Sequence, residues 1–146
     1  MSELYSLEFH GNYIHITYPS GFVINPTTTQ KIWADLANIC KRYDCEKVLI
    51  EASKLARNFD TMAAFDLGVR LSNIKSRLTV ALCFFDYERD ELGEFLKTVA
   101  RNRGTNIEFF LNADDAKKWL GVDGMPAKYA NRKLHPQPSF AQTSIL

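Results

Sequence analysis

The stretch from Lys47 to Leu71, KVLIEASKLARNFDTMAAFDLGVRL, decides the fold. Val48-Leu49-Ile50 is apolar without alternation and β-branched at two positions, the pattern of a strand buried on both faces of a parallel sheet. Ser53 to Phe59 reads as a loop. Asp60-Thr61 then precedes Met62, where apolar residues take up helical spacing at Ala64, Leu67, Gly68 and Leu71. The pair therefore marks a helix N-terminus, and either side-chain oxygen can cap it. Strand, polar loop and capped helix make one βα unit. In a parallel α/β sheet, ligands and modifications act at such corners, beyond the carboxyl ends of the strands.

Toward the N-terminus, Leu4 to Phe9 alternates with Tyr5, Leu7 and Phe9 on one face, and His10-Gly11-Asn12 is a turn signal. Tyr13 to Tyr18 alternates again, with Ile14, Ile16 and Tyr18 inward, which predicts a β-hairpin. Pro19 to Asn25 reads as a loop. Asn25-Pro26 fits an N-cap followed by proline at the first helical position, while Thr27 with Gln30 offers a competing capping box. A helix follows to about Tyr43, with Ile32, Leu36, Ile39, Cys40 and Tyr43 on one stripe.

Toward the C-terminus, Leu78 to Phe85 is a nearly continuous apolar strand, and Asp86 to Asp90 is a charged loop. Asp90 caps a helix whose expected inner face is Leu92, Phe95, Leu96, Val99 and Ala100, with Gly104 as its stop. Ile107 to Leu111 is a strand. Asn112 caps a short helix with Ala116, Trp119 and Leu120 inward, closed by Gly121. The order ββαβαβαβα predicts an α/β fold: a mixed, mostly parallel open sheet with packed helices, over residues 1–121. Residues 122–146, with three prolines, read as an extended tail.

The composition is that of an ordinary globular protein, 46% hydrophobic and 24% charged. Eighteen basic and 17 acidic side chains leave a net charge of +1, so no bulk field recruits nucleic acid, and none is expected as a partner. Val80 to Phe85, the longest apolar run, is too short to cross a bilayer, so no membrane insertion is expected. No signal-peptide pattern opens the chain, and a cytoplasmic location is the expectation.

Candidates for chemistry are few. Cys40, Cys45 and Cys83 lack CxxC spacing and read as reduced thiols, with Cys45 between Asp44 and Glu46 expected to have a raised pKa. His10 falls in a turn, His15 on the outer face of the second strand and His135 in the tail, so no metal is expected. Neither GxGxxG nor GxxxxGK[ST] occurs, and no cofactor is expected. With no catalytic residue assigned, the chain reads as a non-enzyme. The acidic run Asp86, Glu88, Asp90, Glu91 and Glu94 is either a solvated helix start or a docking surface for a basic partner. At Asp60-Thr61, capping competes with a second role. A phosphate on Thr61 would meet free N–H groups and the positive end of the helix dipole, opposed by the Asp60 charge.

The element order and these corner residues resemble the STAS domain in its SpoIIAA-like branch, including small bacterial members without an assigned role. That pattern runs strand, D-L-S, loop, D-S-S-G, helix around a regulated serine. Here Val48-Leu49-Ile50-Glu51-Ala52-Ser53 is similar to the strand, and Asp60-Thr61-Met62-Ala63 occupies the D-S-S-G position. Val99-Ala100-Arg101-Asn102-Arg103-Gly104, Ile107-Glu108-Phe109-Phe110 and Ala116-Lys117-Lys118-Trp119-Leu120 are also similar to such proteins. The likeness spans roughly residues 4–121. It implies a regulatory protein-interaction module with Thr61 as phosphoacceptor and Asp60, Thr61, Met62 and Phe65 as the partner-binding residues. The branch also resembles lipid-carrier domains in architecture, and this chain has ten Phe, six Tyr and two Trp. A carrier of a small apolar ligand or lipid in an internal pocket is therefore the alternative. Homodimerisation through the strand edge or the tail is a third reading.

Overall fold

The computed structural model of the protein describes residues 5–53, 56–85 and 90–122. Asp86, Glu88, His135 and the tail read as extended lie outside the described residues, apart from Val122. In chain order the elements are β1 (Ser6–Phe9), β2 (Ile14–Thr17), β3 (Val23–Ile24), α1 (Pro26–Tyr43), β4 (Lys47–Ala52) and β5 (Ala56–Arg57). They continue with α2 (Thr61–Ser72), β6 (Thr79–Phe84), α3 (Glu91–Asn102), β7 (Asn106–Phe110) and α4 (Ala113–Leu120). Apart from β3 and β5 this is the expected order. Those two dipeptides lie in segments read as loops, Pro19 to Asn25 and Ser53 to Phe59, and pair in parallel as a separate two-stranded ribbon. Two residues are too few for any periodicity to register.

The main sheet has the order β1-β2-β4-β6-β7. β1 and β2 are antiparallel, and every later pairing is parallel. The order rises monotonically across the sheet, so the chain never reverses direction along it. A doubly wound sheet holds its ligand crevice at such a reversal. The corner after β4 therefore does not inherit a crevice from topology.

Period-2 alternation divides the side chains between two layers. Ile14, Ile16, Val48, Ile50, Val80, Leu82 and Ile107 face α1, α2 and α3 in the larger core, with Ile32, Leu36 and Leu71. Leu49, Ala81 and Cys83 face the other way, against Ala116, Leu120 and Val122 at α4. The doubly apolar reading of β4 and β6 follows from this: both strands are covered on both faces. Val122, read as the start of the tail, is instead buried in this smaller core.

All four helices among the described residues begin in the same way. Asn25, Asp60, Asp90 and Asn112 each accept the backbone N–H three residues on with a side-chain oxygen. Asn25 thus wins over the Thr27–Gln30 box. On α3 the expected inner face needs correcting. Phe95 is 36% exposed while Lys97 is buried, because the Lys97 ammonium reaches Glu108 Oε2 on β7 at 2.9 Å and Glu94 Oε1 at 3.2 Å. A paired charge is tolerated where an apolar stripe alone would have placed a ring. Tyr43, placed on the inner stripe of α1, is also partly exposed and stacks its ring on Phe9 at 4.2 Å.

Candidate functional site

The corner after β4 is built from the cap upward. Asp60 Oδ1 accepts the Ala63 N–H at 2.9 Å and carries the cap. Thr61 is therefore the first helical residue, with its side chain exposed and its hydroxyl not required for capping. The inner face of α2 holds Ala64, Leu67, Gly68 and Leu71. The Trp33 indole N–H donates to the Leu67 carbonyl at 3.2 Å and pins the helix to α1. Its outer face carries two large apolar side chains one turn apart, Met62 at 74% exposure and Phe65 at 42%. The Arg103 guanidinium, at the end of α3, lies 5.8 Å from the centre of the Phe65 ring. The structure thus brings Asp60, Thr61, Met62 and Phe65 together on one exposed helical turn.

A second constellation lies on the face of β1 and β2 that looks away from α1, α2 and α3. With Phe9, Ile14 and Ile16 in the larger core, alternation turns Glu8, His10 and His15 to the opposite side. The hairpin register sets Glu8 directly opposite His15. His10 Nε2 lies 2.8 Å from Glu8 Oε1, and His15 Nε2 lies 2.9 Å from Glu51 Oε1 on β4. The His10 ring stacks on Tyr13 at 4.8 Å and sits 5.6 Å from the His15 ring. One ligating atom from each of Glu8, His10 and His15 falls within 4.8 Å of the other two.

The electrostatics agree with this crowding. The hydrogen bond from His15 is the main influence on Glu51. With the His15 and Lys117 charges it outweighs burial, leaving the carboxyl below its ordinary pKa. Burial raises the Tyr13 phenol, and the Glu51 and Glu8 charges raise it further.

Sequence reasoning assigned His10 and His15 to separate elements and so kept them apart. The signal that unites them is the i, i+2 spacing Glu8/His10 and Tyr13/His15 on the polar side of two apolar alternations. All three cysteines are buried. Burial pushes Cys40 up to about 12 and Cys83 to about 11, and raises Cys45 as well. Thiols held so far from the thiolate form are poor nucleophiles. No helix among the described residues is long and apolar enough to cross a membrane. No family model, curated protein or solved structure matches the chain.

Proposed function

We propose that the protein is a non-enzymatic, STAS-like interaction module that binds a protein partner through the first turns of α2 and is switched at Thr61. The observation that carries this reading is the division of labour in that turn. Asp60 holds the cap, the Thr61 hydroxyl is spare, and Met62 and Phe65 stand out as an apolar contact. A partner that covers both side chains removes apolar area from water at no cost to the α2 core. Phosphorylation of Thr61 would add about two negative charges beside that contact, enough to shift binding by a few kcal/mol.

The test places a photo-crosslinking residue at position 62 of the full chain in its own cells. The reading expects a discrete protein adduct that Thr61→Glu abolishes and Thr61→Ala preserves. It also expects a phosphate-sized increment in the intact mass that Thr61→Ala removes. An unmodified mass with an adduct indifferent to Thr61→Glu would end the switch; no adduct at all would end the interaction surface.

A further inference from the structure

The geometry points to a divalent transition-metal site on the face of the first hairpin that looks away from α1, α2 and α3, with Glu8, the buried His10 and His15 as ligands and Glu51 as the carboxylate that orients His15. This goes beyond the interaction reading and does not depend on it: the site lies on β1, β2 and β4, not on α2.

The donor set is the first argument. Two imidazoles and a carboxylate suit borderline ions such as Zn(II), Co(II) or Fe(II), whereas hard ions such as Mg(II) or Ca(II) prefer all-oxygen sets. The spacing is the second. The three ligating atoms lie within 4.8 Å of one another. Tetrahedral zinc with bonds of about 2.0–2.1 Å sets its ligands about 3.3 Å apart. All three residues already lie on one side of the β1–β2 hairpin, so the ligand atoms start close to that spacing.

Orientation is the third argument. Metal-bound histidines ordinarily present one ring nitrogen to the ion and donate the other N–H to a carboxylate. His15 already has its Nε2 against Glu51 Oε1, which leaves Nδ1 for the ion. His10 Nε2 and Glu8 Oε1 already face each other at 2.8 Å, and the ion would sit between them, with the single proton of the neutral His10 ring on Nδ1. Stacking on Tyr13 fixes the His10 ring. With the imidazoles neutral, Glu8 and Glu51 bring two negative charges to a doubly charged ion; Lys117, from α4, opposes part of that field at Glu51. An ordinary i, i+2 contact at the end of β1 and an ordinary contact between β2 and β4 would account for the Glu8–His10 and His15–Glu51 pairs taken singly. They would not require the two pairs to converge on one point.

The test is calorimetric titration of the full, chelator-treated chain with Zn(II), joined to imidazole NMR and the visible spectrum with Co(II). The expected result is one ion per chain at micromolar or tighter affinity and a higher melting temperature. Two of the three histidine rings should shift, and the Co(II) spectrum should contain no thiolate charge-transfer band. His10→Gln and His15→Gln should each weaken binding at least tenfold, and Glu51→Gln by about 10- to 100-fold. His135→Ala should leave it unchanged. Absence of binding at ~100 micromolar Zn(II) would overturn the site, as would affinity that survives both histidine variants or a thiolate band. If a variant does not fold, the ring shifts and the Co(II) spectrum of the unaltered chain still decide.

Discussion

Asp60 and Thr61 are neighbours with different jobs, and stability measurements separate them. Removing the Asp60 carboxylate leaves the Ala63 N–H at the helix start without its side-chain acceptor, so Asp60→Ala should cost about 1 kcal/mol of unfolding free energy. Thr61→Ala removes an exposed hydroxyl outside the cap and should stay within about 0.5 kcal/mol. Urea denaturation of both variants checks this. Equal costs would mean that the threonine oxygen shares the structural role, and its availability as a switch would be lost. The sequence alone left the cap open between the two residues, because aspartate and threonine are both good N-caps and propensity does not choose between adjacent candidates. The backbone chose: Asp60 is extended and Thr61 is already helical.

At the level of elements, α2 and α3 meet where a glycine lets them. A Cβ on Gly68 would stand 3.0 Å from Val99 Cγ1, 3.1 Å from Val99 Cβ and 3.2 Å from the Leu96 carbonyl oxygen. Alanine is better than glycine in a helix by about 1 kcal/mol, yet overpacking costs about 1–3 kcal/mol. Gly68→Ala should therefore lower the denaturation midpoint; a rise would mean that α3 yields easily at Val99.

The contact between α3 and β7 is instead ionic, and it makes a prediction in pH. Burial alone would raise the Glu108 pKa, but Lys97, the Phe109 N–H and Arg101 together hold it below its ordinary 4.5. A carboxyl depressed by folding contributes stability that is complete above its unfolded pKa and fades as pH falls through the folded one. Glu108→Gln should thus be less stable than the unaltered chain at neutral pH, and the gap should narrow below about pH 4.5, as read by melting temperature against pH. A gap constant down to pH 2 would place the effect in packing instead. The same ion pair explains why the α3 face was misread. A period-3.6 pattern places Phe95 inward, but it carries no information about Glu108, eleven residues ahead of Lys97 and on another element.

For the molecule as a whole, the legible part was what apolar periodicity encodes. Val48-Leu49-Ile50 and the run after Leu78 announced a sheet covered on both sides, and Asp90 and Asn112 marked where α3 and α4 start. The illegible part depended on register. Which polar groups meet on the face of β1 and β2 away from α1, α2 and α3 follows from how the hairpin pairs, and only the paired structure sets His10 and His15 within reach of each other. The layering also predicts a gradient of protection. Amides of β4 and β6, flanked by strands and covered on both faces, should exchange with solvent most slowly, and those of the edge strand β1 faster. Native-state hydrogen exchange reads this directly; slowest exchange in β1 would contradict the layer assignment.

The monotonic strand order has a temporal meaning as well. Each parallel strand joins the sheet beside the strand laid down before it, so no pairing in the main sheet waits for a partner further along the chain. Chains emerge from the ribosome N-terminus first. This sheet can therefore grow by accretion during translation, one βα unit at a time, its newest edge always the docking place for the next strand to be made.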